Sequence, residues 1–195
     1  MPNSFDTDFS SYIDEQHRLL SEISEIKLEE FLNGFQNLRA NGSTLWILGN
    51  GGSAGTASHL VTDLSKGSSE NGKGPLRAIA PSELISLQTA IANDFDYSQV
   101  FSKTLEMYAR SGDTILVISV SGRSPNLVSA AEYANRSQIK VLSIVGERGY
   151  PIESLSQSCI MIDSNDYQIV ENIQLTLGHW FMKKLRISTD CVTVK

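Results

Sequence analysis

The chain has 195 residues, 41% hydrophobic and 19% charged, with a formal net charge of −6, which fits one globular domain with a full core. The acidic balance argues against a nucleic-acid surface, and no apolar run approaches the ~18 residues of a membrane-spanning helix. MPNSFDTDFSSY lacks the basic segment and apolar core of a signal peptide, so a cytoplasmic protein is expected, with Cys159 and Cys191 as reduced thiols.

In chain order, residues 8–23 carry Phe9, Tyr12, Ile13, Leu19, Leu20 and Ile23 at helical spacing, and 26–40 read as a second amphipathic helix. His17 has no partner in reach by sequence and reads as a surface or packing histidine. Two helices ahead of the first strand stand outside any βα unit, so they are expected to cover a sheet face or a subunit neighbour. The apolar run 44–48 reads as a strand and 53–66 as a helix, followed by the polar loop GSSENGKGP. Strand 76–80 leads to a helix expected to be capped at Ser82, with Glu83 in its first turn. A helix at 97–110, a strand at 113–118, a helix at 124–135 and a strand at 139–145 follow. A short helix near 151–157, a weak strand at 159–162 and a long helix at 166–186 complete the pattern. Five strands with helical crossovers predict a three-layer αβα sandwich around a five-stranded parallel sheet.

Two turns stand out. Leu45-Trp46-Ile47-Leu48 runs into Gly49-Asn50-Gly51-Gly52-Ser53 and then a helix, the strand–glycine turn–helix order that aims free N–H groups and the helix dipole at an anion. On that helix His59 and Asp63 lie four apart, hence on one face; alone they could equally be a hydrogen-bonded pair or two metal ligands. The segment Gly42–Ile118 contains an internal echo, with Gly42-Ser43-Thr44 and its following strand resembling Gly112-Asp113-Thr114 and the strand after it. The second strand ends in Ser119-Val120-Ser121-Gly122-Arg123-Ser124, where three hydroxyls and a helix N-terminus suit a phosphate dianion. Pro125 in the first helical turn loses no needed N–H. Two such units side by side would bring both turns to the carboxyl edge of the sheet, where open α/β folds bind ligands.

SVSGRSPN resembles the phosphosugar-binding loop of sugar isomerase (SIS) domains, and GNGGSAGTASHLVTDL resembles the first loop and helix of their phosphoheptose isomerase branch. Asn93-Asp94-Phe95, Phe101-Ser102 and the segment Glu171 to His179 are similar to later parts of that branch. The resemblance implies a flavodoxin-like SIS fold in a single SIS domain over 1–195, with a helical extension at 8–40 and a core at 44–186. It also implies a homotetramer with one zinc ion per subunit that isomerises sedoheptulose 7-phosphate in bacterial heptose or polysaccharide biosynthesis. Carried over residue by residue, it implies substrate contacts at Asn50, Gly51, Gly52, Ser53, Asn93, Asp94, Ser119, Val120, Ser121, Ser124 and Gln168. Metal ligands would be His59, Asp63, Glu171 and His179, with Asp63 as catalytic base and His179 as acid.

The chain departs from that pattern in four places. Asp63 stands where the family has glutamate, which shortens the base by roughly 1.5 Å; a misplacement of ~1 Å can cost ~10²-fold in rate. Glu171 replaces a glutamine, Val120 a threonine and Arg123 an asparagine. Glu171 and His179 also pose a geometric problem, because eight helical residues rise about 12 Å. Converging long side chains, a distorted helix start or a site shared between subunits would each resolve it. A base and an acid moving protons across C1, C2 and their oxygens would perform aldose–ketose isomerisation through an enediolate. Two alternatives stay open: a non-catalytic SIS regulator that partners a replication initiator, and an isomerase of another phosphosugar.

Overall fold

The computed structural model describes residues 8–69 and 74–187, so the thiol of Cys191 lies outside the described residues. Strands β1 (Thr44–Leu48), β2 (Arg77–Ile79), β3 (Thr114–Ser119), β4 (Lys140–Gly146) and β5 (Ser158–Ile162) pair in the order β2-β1-β3-β4-β5, all in parallel. β1 and β3 are buried at every position, as apolar runs without polar alternation require when both faces of a sheet are covered.

Successive side chains serve opposite layers. Leu45 and Ile47 of β1 join Leu116, Ile118, Leu142 and Ile144 beneath one helical layer, built from α1 (Phe9–Ser21), α2 (Glu25–Asn41), α3 (Gly52–Thr62) and α8 (Tyr167–Ile187). Trp46 and Leu48 face the other layer, α4 (Ile85–Asp94), α5 (Val100–Tyr108), α6 (Pro125–Arg136) and α7 (Ile152–Leu155). Of the two leading helices, α2 covers the sheet: Phe31 and Phe35 are fully buried, their rings 5.9 and 5.2 Å from that of Phe181 on α8. On α1 only Leu19 is buried, while Phe9 is 78% exposed.

Two elements differ from the sequence expectation. Ser82 does not cap the helix after β2; Pro81–Glu83 form a 3-10 turn, and α4 starts three residues later with Leu84 at its cap position. Pro81 leads that turn because its fixed φ suits a first helical position. The helix expected over 53–66 is α-helical only to Thr62, then continues as a π-helical turn over Asp63–Gly67. Such turns recur at functional sites. Against this turn α8 packs through Met182, and Arg186 Nε donates to Gly67 O at 2.9 Å.

Sheet order reverses between β1 and β3: β1 leads outward to β2, and β3 leads the other way to β4. The crevice above their carboxyl ends is therefore the switch point of the fold, and both sequence-singled turns open there.

Candidate active site

The first turn is built on glycine for a stated reason. Gly51, at φ 55°, sits in a backbone region that L side chains rarely adopt. Beyond it α3 begins; Ala54 N and Gly55 N donate to Gly51 O at 3.0 and 3.2 Å, while the N–H groups of Gly52 and Ser53 make no hydrogen bond among the described residues. In the second turn Gly122 has φ 62°, and a Cβ there would run into the backbone of Gly149. Ser119 Oγ, buried, accepts from Gly122 N at 3.1 Å, and Ser121 Oγ accepts from Arg123 N at 3.4 Å. Ser124 occupies the N-cap position of α6 without making a side-chain cap bond, and it lines a cavity with Asn50, Tyr97 and Asn126.

The two turns are tied to one another by Asn50 together with Asn126 and Tyr97, two residues that the sequence did not single out. Asn50 and Asn126 exchange amide hydrogen bonds in both directions, at 2.9 Å each, and Tyr97 OH donates to Asn50 Oδ1 at 3.1 Å. Asn126 is 1% exposed, so this pair fixes the separation of the turns as a rigid element. The Asn50 side chain, expected to contact substrate, is thus engaged in this clamp. The legible signal was the position of Asn126 directly after Ser124-Pro125, in the first turn of the phosphate-loop helix.

Val120, expected to contact substrate, directly follows β3. Its side chain is 5% exposed and packs in the core beneath α3 and α8, and its carbonyl accepts from Gly146 N. The residue can offer a ligand only its backbone N–H. Asn93 and Asp94 pair with each other at 2.9 Å, exposed at the end of α4, and Gln168 is exposed in the first turn of α8. None of these three contacts the histidine group described next.

His59, Asp63 and His179 converge within one chain. His59 Nε2 and His179 Nε2 are 3.0 Å apart, and each is 3.4 Å from Asp63 Oδ2. Asp63 stays four residues on from His59 in α-helical register, since its N–H still bonds to His59 O. Gly178 brings α8 close: a Cβ there would collide with the buried side chain of Leu60 on α3, so glycine lets the helices approach until the rings meet.

The chemistry of this trio fits a small cation. Asp63 Oδ2 is buried and has no hydrogen-bond partner, which is costly for a carboxylate oxygen with nothing to balance it. Two imidazole nitrogens and that oxygen point at a common centre. A tetrahedral zinc site, with bonds of ~2.0–2.1 Å, sets its ligand atoms ~3.3–3.4 Å apart. Neutral imidazoles protonated at Nδ1 would present both Nε2 lone pairs inward.

Glu171 stands outside this close group among the described residues. Its carboxylate lies against Gly52, where an added Cβ would strike it. The reason is helix rise. α3 and α8 run side by side in the same direction, with Gly52 beside Glu171, Leu60 beside Gly178, His59 beside His179 and Gly67 beside Met182. The ~12 Å between Glu171 and His179 is matched by the ~10 Å between Gly52 and His59, so one straight helix serves both ends of one site. Asp63 and His179 of one chain lie 3.4 Å apart. Gln174, between them, is buried and donates to Ile144 O at 3.0 Å, a structural role.

Comparison with known proteins fits this architecture. Residues 11–146 match the SIS domain family. The chain is 35% identical over 172 residues to a probable phosphoheptose isomerase of Thermoplasma volcanium, covering 88% of this chain and 87% of that one. It is 33% identical to the phosphoheptose isomerase of Thermodesulfovibrio yellowstonii, over 85% of this chain and 78% of that one. Among solved structures, phosphoheptose isomerase from Neisseria gonorrhoeae superposes with a TM-score of 0.82 at 23% identity, covering 91% of this chain and 94% of that one.

Proposed function

The chain belongs to the SIS-domain family, in its phosphoheptose isomerase branch, and from that premise we propose that it interconverts sedoheptulose 7-phosphate and an aldoheptose 7-phosphate. The observation that carries the reading is the trio around the unpartnered Asp63 oxygen, two helical turns from an anion-binding turn. Between Gly52 and His59 α3 rises ~10 Å. An extended seven-carbon chain ending in a phosphate spans on the order of 10 Å, at the ~1.2 Å per bond of an extended backbone. Phosphate at the paired turns would therefore set the carbonyl end beside the histidines.

In this reading Ser121, Ser124 and the first-turn N–H groups of α3 and α6 hold the phosphate. Asp63 takes the proton from C1 of the ketose and returns it at C2. His179 moves the hydroxyl proton between O1 and O2, so charge never accumulates on the enediolate. Glu171, whose carboxylate lies against Gly52 at the start of α3, stands near the phosphate end, where it can accept hydrogen bonds from the adjoining sugar hydroxyls. His59, Asp63 and His179 would hold a divalent ion, with zinc the best fit to two imidazoles and a carboxylate. Such an ion supplies stabilisation of the developing oxyanion. A homotetramer is the expected assembly, and exposed Phe9, Ile13 and Ile26 on the leading helices offer apolar area to it. Asp63, although one methylene shorter than the family's glutamate, still lies 3.4 Å from both histidine Nε2 atoms, which supports the enzyme over a non-catalytic regulator.

The substrate reading is tested by chain length. Ketose phosphates of five, six and seven carbons should rise in kcat/KM, with sedoheptulose 7-phosphate highest; a maximum at five or six carbons would favour a different phosphosugar. Replacing Ser121 or Ser124 by alanine removes a donor to a charged group, worth ~1.5–3 kcal/mol. Affinity for sedoheptulose 7-phosphate should then fall roughly 10- to 100-fold in equilibrium binding, and unchanged affinity in both variants would take the loop out of the site. Elemental analysis after zinc incubation and desalting should find one ion per chain in the wild type and a large loss in His59→Ala. Equal occupancy in the two would return the histidines to a hydrogen-bonded pair.

A further inference from the structure

The internal echo has a second consequence, at the opposite end of the sheet from the paired turns. The amino ends of β1, β2 and β3 are adjacent, and the turns before β1 and β3 bend through Gly42 and Gly112, both at positive φ. Between them lies a cavity of about 340 Å³ lined by Ser43, Trp46, Arg77, Tyr108, Arg110 and Ser111, among others. That volume is at the lower end of small-molecule sites.

Its chemistry is one-sided. Arg77 and Arg110 both line it, and neither guanidinium has a hydrogen bond or ion pair among the described residues. The hydroxyls of Ser43 and Ser111 are likewise uncommitted there. The carboxylate in the wall, Asp113, is already saturated: Oδ1 accepts from Thr44 N at 2.8 Å, and Oδ2 accepts from Trp46 Nε1 and Arg110 N at 3.0 Å each. Two arginines against one carboxylate leave this cavity positive in a chain of net charge −6. Guanidinium groups bind phosphoryl oxygens through paired donors, and the half-exposed Tyr108 ring offers a flat face for the rest of a ligand.

We propose that this cavity is a second anion site, separate from the paired turns, which takes a phosphate monoester through Arg77 and Arg110. The five- and six-residue strands β1 and β3 place it roughly 16–20 Å from those turns, at ~3.3 Å per residue, so one small ligand does not reach both. The same strands carry both turns at their far ends, so a ligand here sits where it can influence the turns through the sheet.

The indole N–H of Trp46 reports on the wall directly, and its NMR resonance is the readout. Wild-type protein is titrated with adenosine 5′-monophosphate and with ribose 5-phosphate, with adenosine and ribose as phosphate-free controls. The expected result is a saturable shift with at least one phosphate ester and none with the controls. Tighter binding of the nucleotide assigns the body of the ligand to the Tyr108 ring, and tighter binding of the sugar phosphate assigns it to the hydroxyls. Arg77→Gln/Arg110→Gln should weaken that binding by ~10-fold or more, while Ser121→Ala/Ser124→Ala should leave it unchanged. No saturable shift with either ester, equal affinity in the arginine variant, or loss in the serine variant would overturn the proposal. The last of these would assign the shift to ligand bound at the paired turns.

Discussion

Asp63→Asn and His179→Ala should each lower kcat for sedoheptulose 7-phosphate by roughly 10³-fold, within the ~10²–10⁴-fold that a positioned acid or base contributes. Affinity for the phosphate end should hold, because both residues lie about two to three helical turns along α3 from the paired turns. Asp63→Asn keeps the shape of the side chain but removes its basicity. Asp63→Glu is the sharper variant. Oδ2 already sits 3.4 Å from both Nε2 atoms, so an added methylene drives the carboxylate into the histidine pair. A loss of ~10-fold or more is expected, although glutamate is the residue the family resemblance implies at that place. Steady-state kinetics on the three variants checks this, and full activity in Asp63→Asn would remove Asp63 as the base.

The second large effect concerns stability. Asp113 binds three N–H groups, two from β1 and one from the loop before β3, and it is 6% exposed. Asp113→Ala removes the acceptor of all three donors at once. Each unsatisfied donor costs ~1–3 kcal/mol, so a total loss of ~3 kcal/mol or more is expected. For a chain of this size that is a fall in Tm of roughly 6–12 °C. Thermal unfolding followed by circular dichroism measures it; a fall of under ~2 °C would mean that the donors find other partners.

Much of the fold was legible because hydrophobic runs and glycine turns are local signals. β1 falls at residues 44–48 as expected, since an apolar run bounded by Gly42 and Gly49 leaves no other register. The two turns meet because parallel βα units on adjacent strands must bring them together. What was not legible depends on how helices pack. The π-helical turn at Asp63 follows from contacts with Met182 and Arg186, which are more than a hundred residues away in sequence. Propensity favoured Ser82 as a cap, but Pro81 set a 3-10 turn first. The separation of Glu171 and His179 was read correctly as ~12 Å, yet its resolution required knowing that α3 runs parallel to α8. Val120 was carried over as a ligand residue from its place in the loop. The alternation of β3 instead turns its side chain into the core.

The central claim is that one chain's Asp63 and His179 move a proton between C1 and C2 of a seven-carbon ketose phosphate. It is tested most directly by incubating the zinc-loaded protein with sedoheptulose 7-phosphate in deuterium oxide. Deuterium should appear at C2 of an aldoheptose 7-phosphate with the wild type, and at roughly 10³-fold lower rate with Asp63→Asn. Retained binding of sedoheptulose 7-phosphate with no deuterium incorporated by the wild type would contradict the claim and leave a protein that holds phosphosugars without turning them over.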